Sequence, residues 1–245
     1  MCICVYNAVV IREKKKMVFT YELRMVMKAL LAGDVEAFQG FYINTVNDMY
    51  FHTKLVVKNE EETARLMIKI YKAMFIQLGR LSKPEDTTKW YNDILYQHLV
   101  DWVNVNCANQ LIGEENGEYN EYPGVEEYVR GNNTLLESEV ANLAASFINT
   151  LDPVHSLTGL AYFYDGFDDA QLEKYLQCDI SVIKTRVKYA TKQISIYSLE
   201  FCKANDYEGA RVDNNLLLLA YVLIFNEVKL TNIEGLYAAI CDALQ

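Results

Sequence analysis

The segment GFDDAQLEKYLQCDISVIKTRVKYATKQI, from Gly166 to Ile194, decides the fold prediction for this chain. Its apolar residues follow helical spacing, first at Leu172, Tyr175 and Leu176 and then at Ile180, Ile183, Val187, Ala190 and Ile194. This spacing predicts two amphipathic helices that each bury one face. Asp168 or Asp169 is a suitable N-cap for the first helix. A short turn at 177–179 separates the helices, so the segment predicts a helix-turn-helix.

The second predicted helix is the basic part of an acidic chain. It carries four basic residues and no acidic residue, whereas the whole chain has a net charge of -10. The basic residues are Lys184, Arg186, Lys188 and Lys192, and Ser181, Thr185 and Tyr189 lie beside the lysine row. We interpret the lysines as phosphate contacts and their neighbours as contacts to the base edges of DNA. Lysine at every fourth position is also typical of a solvated helix face, and that alternative stays open.

This helix resembles a known recognition helix. The string SVIKTRVKYATKQI (181–194) is similar to the second helix of the helix-turn-helix in the extracytoplasmic-function sigma factors, the small alternative specificity subunits of bacterial RNA polymerase. Members typically carry Ser or Thr, then Val or Ile, a basic residue, Ser or Thr, and Arg. Those positions are held here by Ser181, Ile183, Lys184, Thr185 and Arg186. The resemblance implies a module like sigma region four, which reads promoter DNA.

Two earlier stretches resemble sigma region two of the same family. LLAGDVEAFQGFY (30–42) is similar to the opening of that region, with a Gly-Asp pair before an acidic residue, Ala, Phe and a later Tyr. KWYNDILYQHLVDWVN (89–104) is similar to the helix that reads and melts the promoter. The resemblance covers roughly 28–106 and 135–197, in the order typical of the family and with a linker between. Order and spacing together indicate the family more strongly than either motif.

The resemblance implies core RNA polymerase and promoter DNA as partners, and it raises an anti-sigma protein as a possible third. It adds Trp90 and Gln97 to the candidate DNA-binding residues. Trp90 would stack on an unpaired base; the alternative is that it packs in the core of an amphipathic helix. The candidate polymerase-binding residues lie on the third helix of the first module and are Arg65, Leu66, Ile68 and Lys69.

Several positions depart from the family pattern. An acidic pair and a Gln are usual on the third helix where this chain has Ala64, Arg65 and Ile68. In the helix-turn-helix, Glu173 stands where a small Ala is usual, and Gln177 stands near the usual Gly. Together with the acidic balance, these departures favour a second hypothesis. In it, a sigma-like fold is kept as a protein-interaction regulator without DNA binding.

The composition predicts a globular all-α protein that is not an enzyme. A hydrophobic fraction of 51% with only 3 Pro and 11 Gly favours long helices. The six Cys show no metal-ligand spacing, and no nucleophile elbow, Gly-rich phosphate loop or zincin motif occurs. We therefore expect no catalytic residue, metal, cofactor or small-molecule substrate. No signal peptide is evident and the longest apolar run, 216–225, is too short to span a bilayer, so we expect no membrane contact and a cytoplasmic location.

The pattern along the chain predicts two helical modules. A four-helix bundle, the sigma region-two-like domain, is expected at 17–112, an acidic flexible linker at 113–134, a region-four-like helix-turn-helix domain at 135–200 and a C-terminal helical extension at 201–245. The linker carries six acidic residues and one Arg. The extension contains a helix so apolar that we expect its large side chains to be sheltered against the second module or a partner. These are Leu216, Leu219, Tyr221, Val222 and Phe225.

Overall fold

The computed structural model describes residues 22–107, 131–209 and 212–244. About 80% of this part of the chain is helical, with almost no strand. The predicted all-α fold class is therefore confirmed. Residues 1–16 and most of the predicted acidic linker at 113–134 lie outside the described residues.

The described helices are numbered in chain order. They are α1 (22–31), α2 (Ala37–Val57), α3 (Glu60–Gln77), α4 (Thr87–Asn106), α5 (Glu137–Ile148), α6 (Pro153–Gly159), α7 (Asp169–Leu176), α8 (Ile180–Ala204), α9 (Asn214–Glu227) and α10 (Ile233–Leu244). A π-helical turn, Leu160–Tyr164, continues α6, and short 3-10 turns at Leu78–Arg80 and Pro84–Asp86 lie between α3 and α4. The strands β1 (Asn133–Thr134) and β2 (Tyr207–Glu208) have two residues each.

The junction between α2 and α3 follows directly from local sequence. Lys58 adopts a left-handed conformation with φ 65°, which ends α2. Asn59 is the N-cap of α3, because its side chain accepts a hydrogen bond from the backbone N–H of Glu62 at 3.0 Å. Three glutamates, at positions 60–62, fill the first turn, where the helix dipole favours negative charge. The sharp connection brings α3 back against α2.

The described residues divide into two compact units. The N-terminal unit holds residues 22–102 and 228–244. In it α3 packs on α2, and α10 packs on both. Aromatic rings fill the contacts: the Tyr71 ring centroid lies 6.5 Å from that of Phe38 and 5.2 Å from that of Tyr42. The ring of Trp90 on α4 lies 6.0 Å from that of Phe41 on α2.

The extension predicted at 201–245 is divided between the two units. α9 belongs to the C-terminal unit, which holds residues 103–107, 131–209 and 212–227, whereas α10 belongs to the N-terminal unit. Both helices have an apolar face to bury. Helical spacing shows that a face will be buried, but it does not show which neighbour covers it. The two helices of the predicted extension therefore belong to different compact units.

α9 is part of the core of the C-terminal unit. It packs on α5 and on the π-helical turn, while α8 packs on α5, α6 and α7. Leu216, Tyr221 and Val222 are buried, as the apolar run predicts, and Leu219 and Phe225 are half-buried. α9 and α8 therefore pack on the same helix, α5.

The last residues of the predicted linker are held in a short parallel strand pair. Asn133 pairs with Tyr207, and the next residues of β1 and β2 pair with each other. Asn132 Nδ2 donates to Asp206 Oδ2 at 2.7 Å. Residues 131–134 are therefore not free linker. Their Gly-Asn-Asn composition is typical of a loop, and a pairing partner more than seventy residues away leaves no local signal.

A close approach at Gly159 joins the end of α6 to α9. A Cβ atom placed on Gly159 would lie 2.0 Å from the hydroxyl oxygen of Tyr221. The Tyr221 side chain is 1% exposed, so its ring cannot swing into solvent to make room. Only glycine fits this contact without a shift of the packed ring.

We therefore expect Gly159→Ala to destabilise the protein by about 1–3 kcal/mol, because overpacking a core outweighs the usual gain from replacing a helical glycine. Urea unfolding measures the change. Gly79→Ala is the matched control, since a Cβ there has no neighbour within 4 Å. If the two variants are equally stable, the packing around Tyr221 can shift enough to accommodate the added methyl group.

Candidate nucleic-acid interface

The predicted helix-turn-helix is formed by α7 and α8. Asp168 is the N-cap of α7: its side chain accepts from Gln171 N at 2.9 Å, and Gln171 Oε1 accepts from Asp168 N at 3.1 Å. Asp179 is the N-cap of α8 and accepts from Ser181 N at 2.7 Å. Hydrogen bonds from the Ser181 hydroxyl and backbone hold the pKa of the Asp179 carboxyl below its usual value. Local capping thus fixes both helix starts.

Two departures from the family pattern have a structural explanation in the turn. Gln177 adopts a left-handed conformation, φ 51° and ψ 40°, which is the conformation that glycine adopts most easily. Glu173 Oε1 accepts a hydrogen bond from the backbone N–H of Ile180 at 3.1 Å. This N–H is one of the free donors at the start of α8, so Glu173 acts as a cap between the two helices.

Burial of one face of α8 directs a polar stripe outward. Ile183, Ala190 and Ile194 are buried, as predicted, while Ile180 and Val187 are only half-buried. On the opposite side Ser181, Thr185 and Lys188 are exposed. Spacings of four and three residues keep these three side chains on one line of the helix surface. We call Ser181, Thr185 and Lys188 the outward stripe.

Lys184 borders the outward stripe but is already paired. Its Nζ lies 2.6 Å from Asp169 Oδ2, and both side chains are more than half exposed, at 56% and 61%. The hydrogen bond to Asp169 raises the pKa of Lys184, with smaller contributions from the charges of Asp169, Tyr162 and Glu173. The acids of α7 therefore partly neutralise this lysine. Helical spacing does not indicate this pairing, although both residues lie in the same segment, 166–194.

The other three predicted residues of α8 are only half-buried: Arg186 and Tyr189 lie off the outward stripe, and Lys192 continues its line. Arg186 is half-buried on a flank of the helix, and Lys192 is half-buried one turn beyond Lys188. Tyr189 is half-buried as well, with its ring centroid 4.8 Å from that of His155. The structure thus brings three of the seven predicted residues together on one exposed line, with Lys184 beside them.

Behind Tyr189, an aspartate and a histidine secure the start of α6. Asp152 is the N-cap: its Oδ1 accepts from His155 N at 3.0 Å and its Oδ2 lies 2.7 Å from His155 Nδ1. Burial alone would raise the pKa of Asp152, but the hydrogen bonds from the His155 ring and backbone outweigh burial and leave this pKa lowered. The Asp-Pro-Val-His sequence carries the N-cap signal, but the contact with Tyr189 is invisible in sequence.

On α4, the two predicted DNA contacts share one helix face. Trp90 is half-buried against Phe41, and its indole nitrogen is buried without a hydrogen-bond partner among the described residues. Gln97, seven residues further on, is exposed and donates to Asp101 Oδ1 at 2.9 Å. A carboxylate next to Gln97 opposes phosphate contact there. Trp90 therefore packs against α2 and is only partly accessible.

The four predicted polymerase-binding residues of α3 have different surroundings. Leu66 is 5% exposed and belongs to the core, so its side chain is not part of a docking surface. Lys69 is exposed and Ile68 is half-buried. Arg65 is exposed and pairs with Glu61 and, at 2.6 Å, with Glu62 on its own helix. Ile68 and Lys69 therefore remain accessible at the surface, whereas the charge of Arg65 is already met by two glutamates.

Within the described residues, no group of three or more His, Cys, Asp or Glu side chains is arranged to hold a metal ion. In the same part of the chain, no helix has the length and apolar character needed to cross a membrane.

Comparison with protein-family models, with curated proteins and with solved structures finds no match to this chain.

The left-handed backbone conformation of Gln177 restricts which residue types fit at this position. Gln177→Val should lower stability by about 1–2 kcal/mol, because a β-branched side chain is strained in this conformation. Gln177→Gly should leave stability unchanged or raise it. Urea unfolding of both variants distinguishes them. A Val variant as stable as the Gly variant would mean that the turn is not left-handed in solution.

The lowered pKa of Asp152 predicts a pH-dependent contribution to stability. A carboxyl group whose pKa is lower in the folded state stabilises it above the unfolded pKa, and this contribution is lost as pH falls through the folded pKa. Asp152→Asn keeps an effective N-cap but removes the charge. The variant should be less stable than the parent at pH 7 by about 1 kcal/mol or less, since solvent screens this partly exposed group.

This stability difference should shrink as the pH falls below 3.8, the ordinary value for Asp, because the parent then loses its own charge. Urea unfolding of both proteins over a pH series measures it. If the difference in unfolding free energy stays constant down to the lowest pH measured, the pKa of Asp152 is not lowered in the folded protein.

Proposed function

We propose that this chain is a sigma-factor-like transcription initiation protein that binds core RNA polymerase and directs it to promoter DNA. The observation that carries the proposal is the outward stripe of α8, preceded by a capped α7 and a tight turn. A helix that presents Ser, Thr and Lys outward from a helix-turn-helix is suited to the major groove. In this proposal Lys188 contacts phosphate, while Ser181 and Thr185 contact base edges.

The N-terminal unit supplies the polymerase contact in this proposal. The exposed Lys69 and the half-buried Ile68 offer a small basic and apolar surface on α3, and Arg65 beside them is already paired with Glu61 and Glu62. Promoter recognition needs no chemistry from the protein, so the proposal includes no catalytic residue, metal or cofactor. It includes a cytoplasmic location, because that is where bacterial RNA polymerase acts.

A second candidate function is supported by the acidic residues near the predicted contacts. Asp169 holds Lys184 at 2.6 Å, and Asp101 accepts from Gln97 at 2.9 Å. Carboxylates at these positions repel phosphate and favour a protein partner over DNA. The second candidate is therefore a sigma-like fold that acts as a protein-interaction regulator without DNA binding.

The phosphate role of Lys188 predicts a change in salt dependence. Each lost phosphate contact lowers the slope of log affinity against log salt by about 0.9 on duplex DNA. Lys188→Ala should therefore weaken promoter binding on all sequences and reduce the slope by about that amount, with polymerase present. Lys203→Ala is the matched control, because Lys203 is exposed near the far end of the same helix.

Two further variants separate the candidate functions in the same assay. Thr185→Ala should change which promoter sequence is preferred, by roughly 1–3 kcal/mol for a good base contact. Asp169→Asn should strengthen DNA binding, since it frees Lys184 from its partner. If Lys188→Ala and Lys203→Ala behave alike and Asp169→Asn has no effect, α8 does not contact DNA and the second candidate replaces the first.

A further inference from the structure

A histidine of α6 packs against one flank of α8. The Tyr189 ring centroid lies 4.8 Å from that of His155, with an angle of 41° between the two ring planes. α6 packs on α8, so this ring pair belongs to the interface between the two helices. His155 is 7% exposed, whereas Tyr189 is half-buried. Tyr189 therefore packs against His155 and still keeps part of its surface accessible to solvent.

An aspartate fixes the orientation of the His155 ring. Asp152 Oδ1 accepts from His155 N at 3.0 Å, and Asp152 Oδ2 lies 2.7 Å from His155 Nδ1. Burial opposes ionisation of Asp152, but the hydrogen bonds from His155 outweigh it and lower the pKa, so the ionised carboxylate can only accept. His155 Nδ1 therefore carries a proton and donates it to Oδ2. Because one carboxylate binds both the backbone and the ring of His155, the ring has a single favoured orientation.

Tyr189 borders the outward stripe without being part of it. It follows Thr185 by four residues, so the two side chains are neighbours on the surface of α8. At 100° per residue, Lys184 lies at the opposite border, where Asp169 of α7 holds it at 2.6 Å. Each border of the outward stripe is thus in contact with another helix, α7 on one side and α6, through His155, on the other.

A side chain that is ordered before binding contacts its target at a lower cost. Ordering one mobile side chain at an interface weakens binding by about two- to tenfold in the dissociation constant. Packing against His155 orders the Tyr189 ring in the free protein, so much of this cost is already met. A tyrosine next to Thr185 is suited to base edges, because its ring can contact a thymine methyl group and its hydroxyl can form a hydrogen bond.

We propose that His155, clamped by Asp152, is a positioning residue that holds the Tyr189 ring in place for DNA recognition. Tyr189 in turn contacts base edges beside those that Thr185 contacts. The inference rests on the proposed function and deepens it, because it adds a residue that controls base preference without contacting DNA. A base contact releases no counterion from phosphate, so the slope of log affinity against log salt does not depend on this pair.

The experiment separates the ring of His155 from its hydrogen bond to Asp152. In His155→Asn the amide nitrogen takes the place of Nδ1, so the hydrogen bond is kept and the ring is lost. His155→Phe keeps a ring against Tyr189 and loses the hydrogen bond. Tyr189→Ala removes the proposed DNA contact itself. Its matched control is Tyr197→Ala, because Tyr197 is 37% exposed about two turns further along α8.

Each variant of the full chain is titrated with promoter DNA in the presence of core polymerase. Tyr189→Ala should weaken binding by about two- to tenfold and change the preferred base, with the salt slope unchanged. His155→Asn should have the same kind of effect, and His155→Phe should lie between His155→Asn and the unaltered chain. Tyr197→Ala should bind like the unaltered chain. If His155→Asn binds and selects DNA like the unaltered chain, the inference is wrong.

A double variant shows whether His155 acts through Tyr189. If it does, His155→Asn has no further effect on DNA binding in the Tyr189→Ala background. A merely structural role would weaken binding equally in both backgrounds, and that result would overturn the inference. Urea unfolding checks that each variant is folded in the assay. If Tyr189→Ala is not, Tyr189→Leu takes its place, because it keeps an apolar side chain against His155.

The same titrations separate this inference from the proposed function. If Lys188→Ala lowers the affinity and the salt slope while Tyr189→Ala has no effect, the positioning role is wrong and the proposed function stands. If neither variant changes DNA binding, α8 does not contact DNA and both fail.

Discussion

The burial of one face of α8 is the constraint on which the helix-turn-helix depends. Ile183, Ala190 and Ile194 pack inward, and α5, α6 and α7 all pack on this helix. Burying one large aliphatic side chain stabilises a fold by about 1.5–3 kcal/mol, which is more than an exposed polar residue contributes. The rotation of α8 is therefore set from inside. Thr185 and Lys188 face solvent as a consequence, and they are open to serve recognition.

Local charge matters more than net charge for this surface. The chain carries a net charge of -10, but charges further away than about 8 Å are largely screened at physiological ionic strength. Within that range, Asp169 and Glu173 oppose Lys184, whereas Lys188 lies one turn further along the helix. Such a surface attracts phosphate only weakly by itself. A protein that binds promoters together with polymerase does not need strong binding of its own, since the partner supplies part of the affinity.

Much of the helical architecture could be predicted from sequence, because the helices bury apolar stripes and several of them begin at a residue whose side chain caps the helix. The starts of α3, α7 and α8 follow from Asn59, Asp168 and Asp179. Through-space pairings could not be predicted in the same way. The ion pair of Lys184 with Asp169 depends on how α7 meets α8. Periodicity does not contain that geometry.

The C-terminal helices and the predicted polymerase-binding residues also show what helical periodicity cannot predict. Its stripes mark α9 and α10 as amphipathic or apolar, but they do not assign the two helices to different units. Leu66 was predicted to contact a partner because of a family position, yet its place on the buried stripe of α3 puts it in the core. Both differences arise because a stripe shows that a face is buried and leaves the neighbour unspecified.

The proposed function requires that the outward stripe of α8 lies against promoter DNA when polymerase is present. A photo-crosslinking residue placed at Thr185 tests it most directly, with the same residue at the exposed Asn142 of α5 as a control. We predict that the probe at Thr185 captures DNA in the complex with core polymerase and that the probe at Asn142 does not. Crosslinks from Thr185 to protein alone, or equal capture of DNA at both positions, would contradict it.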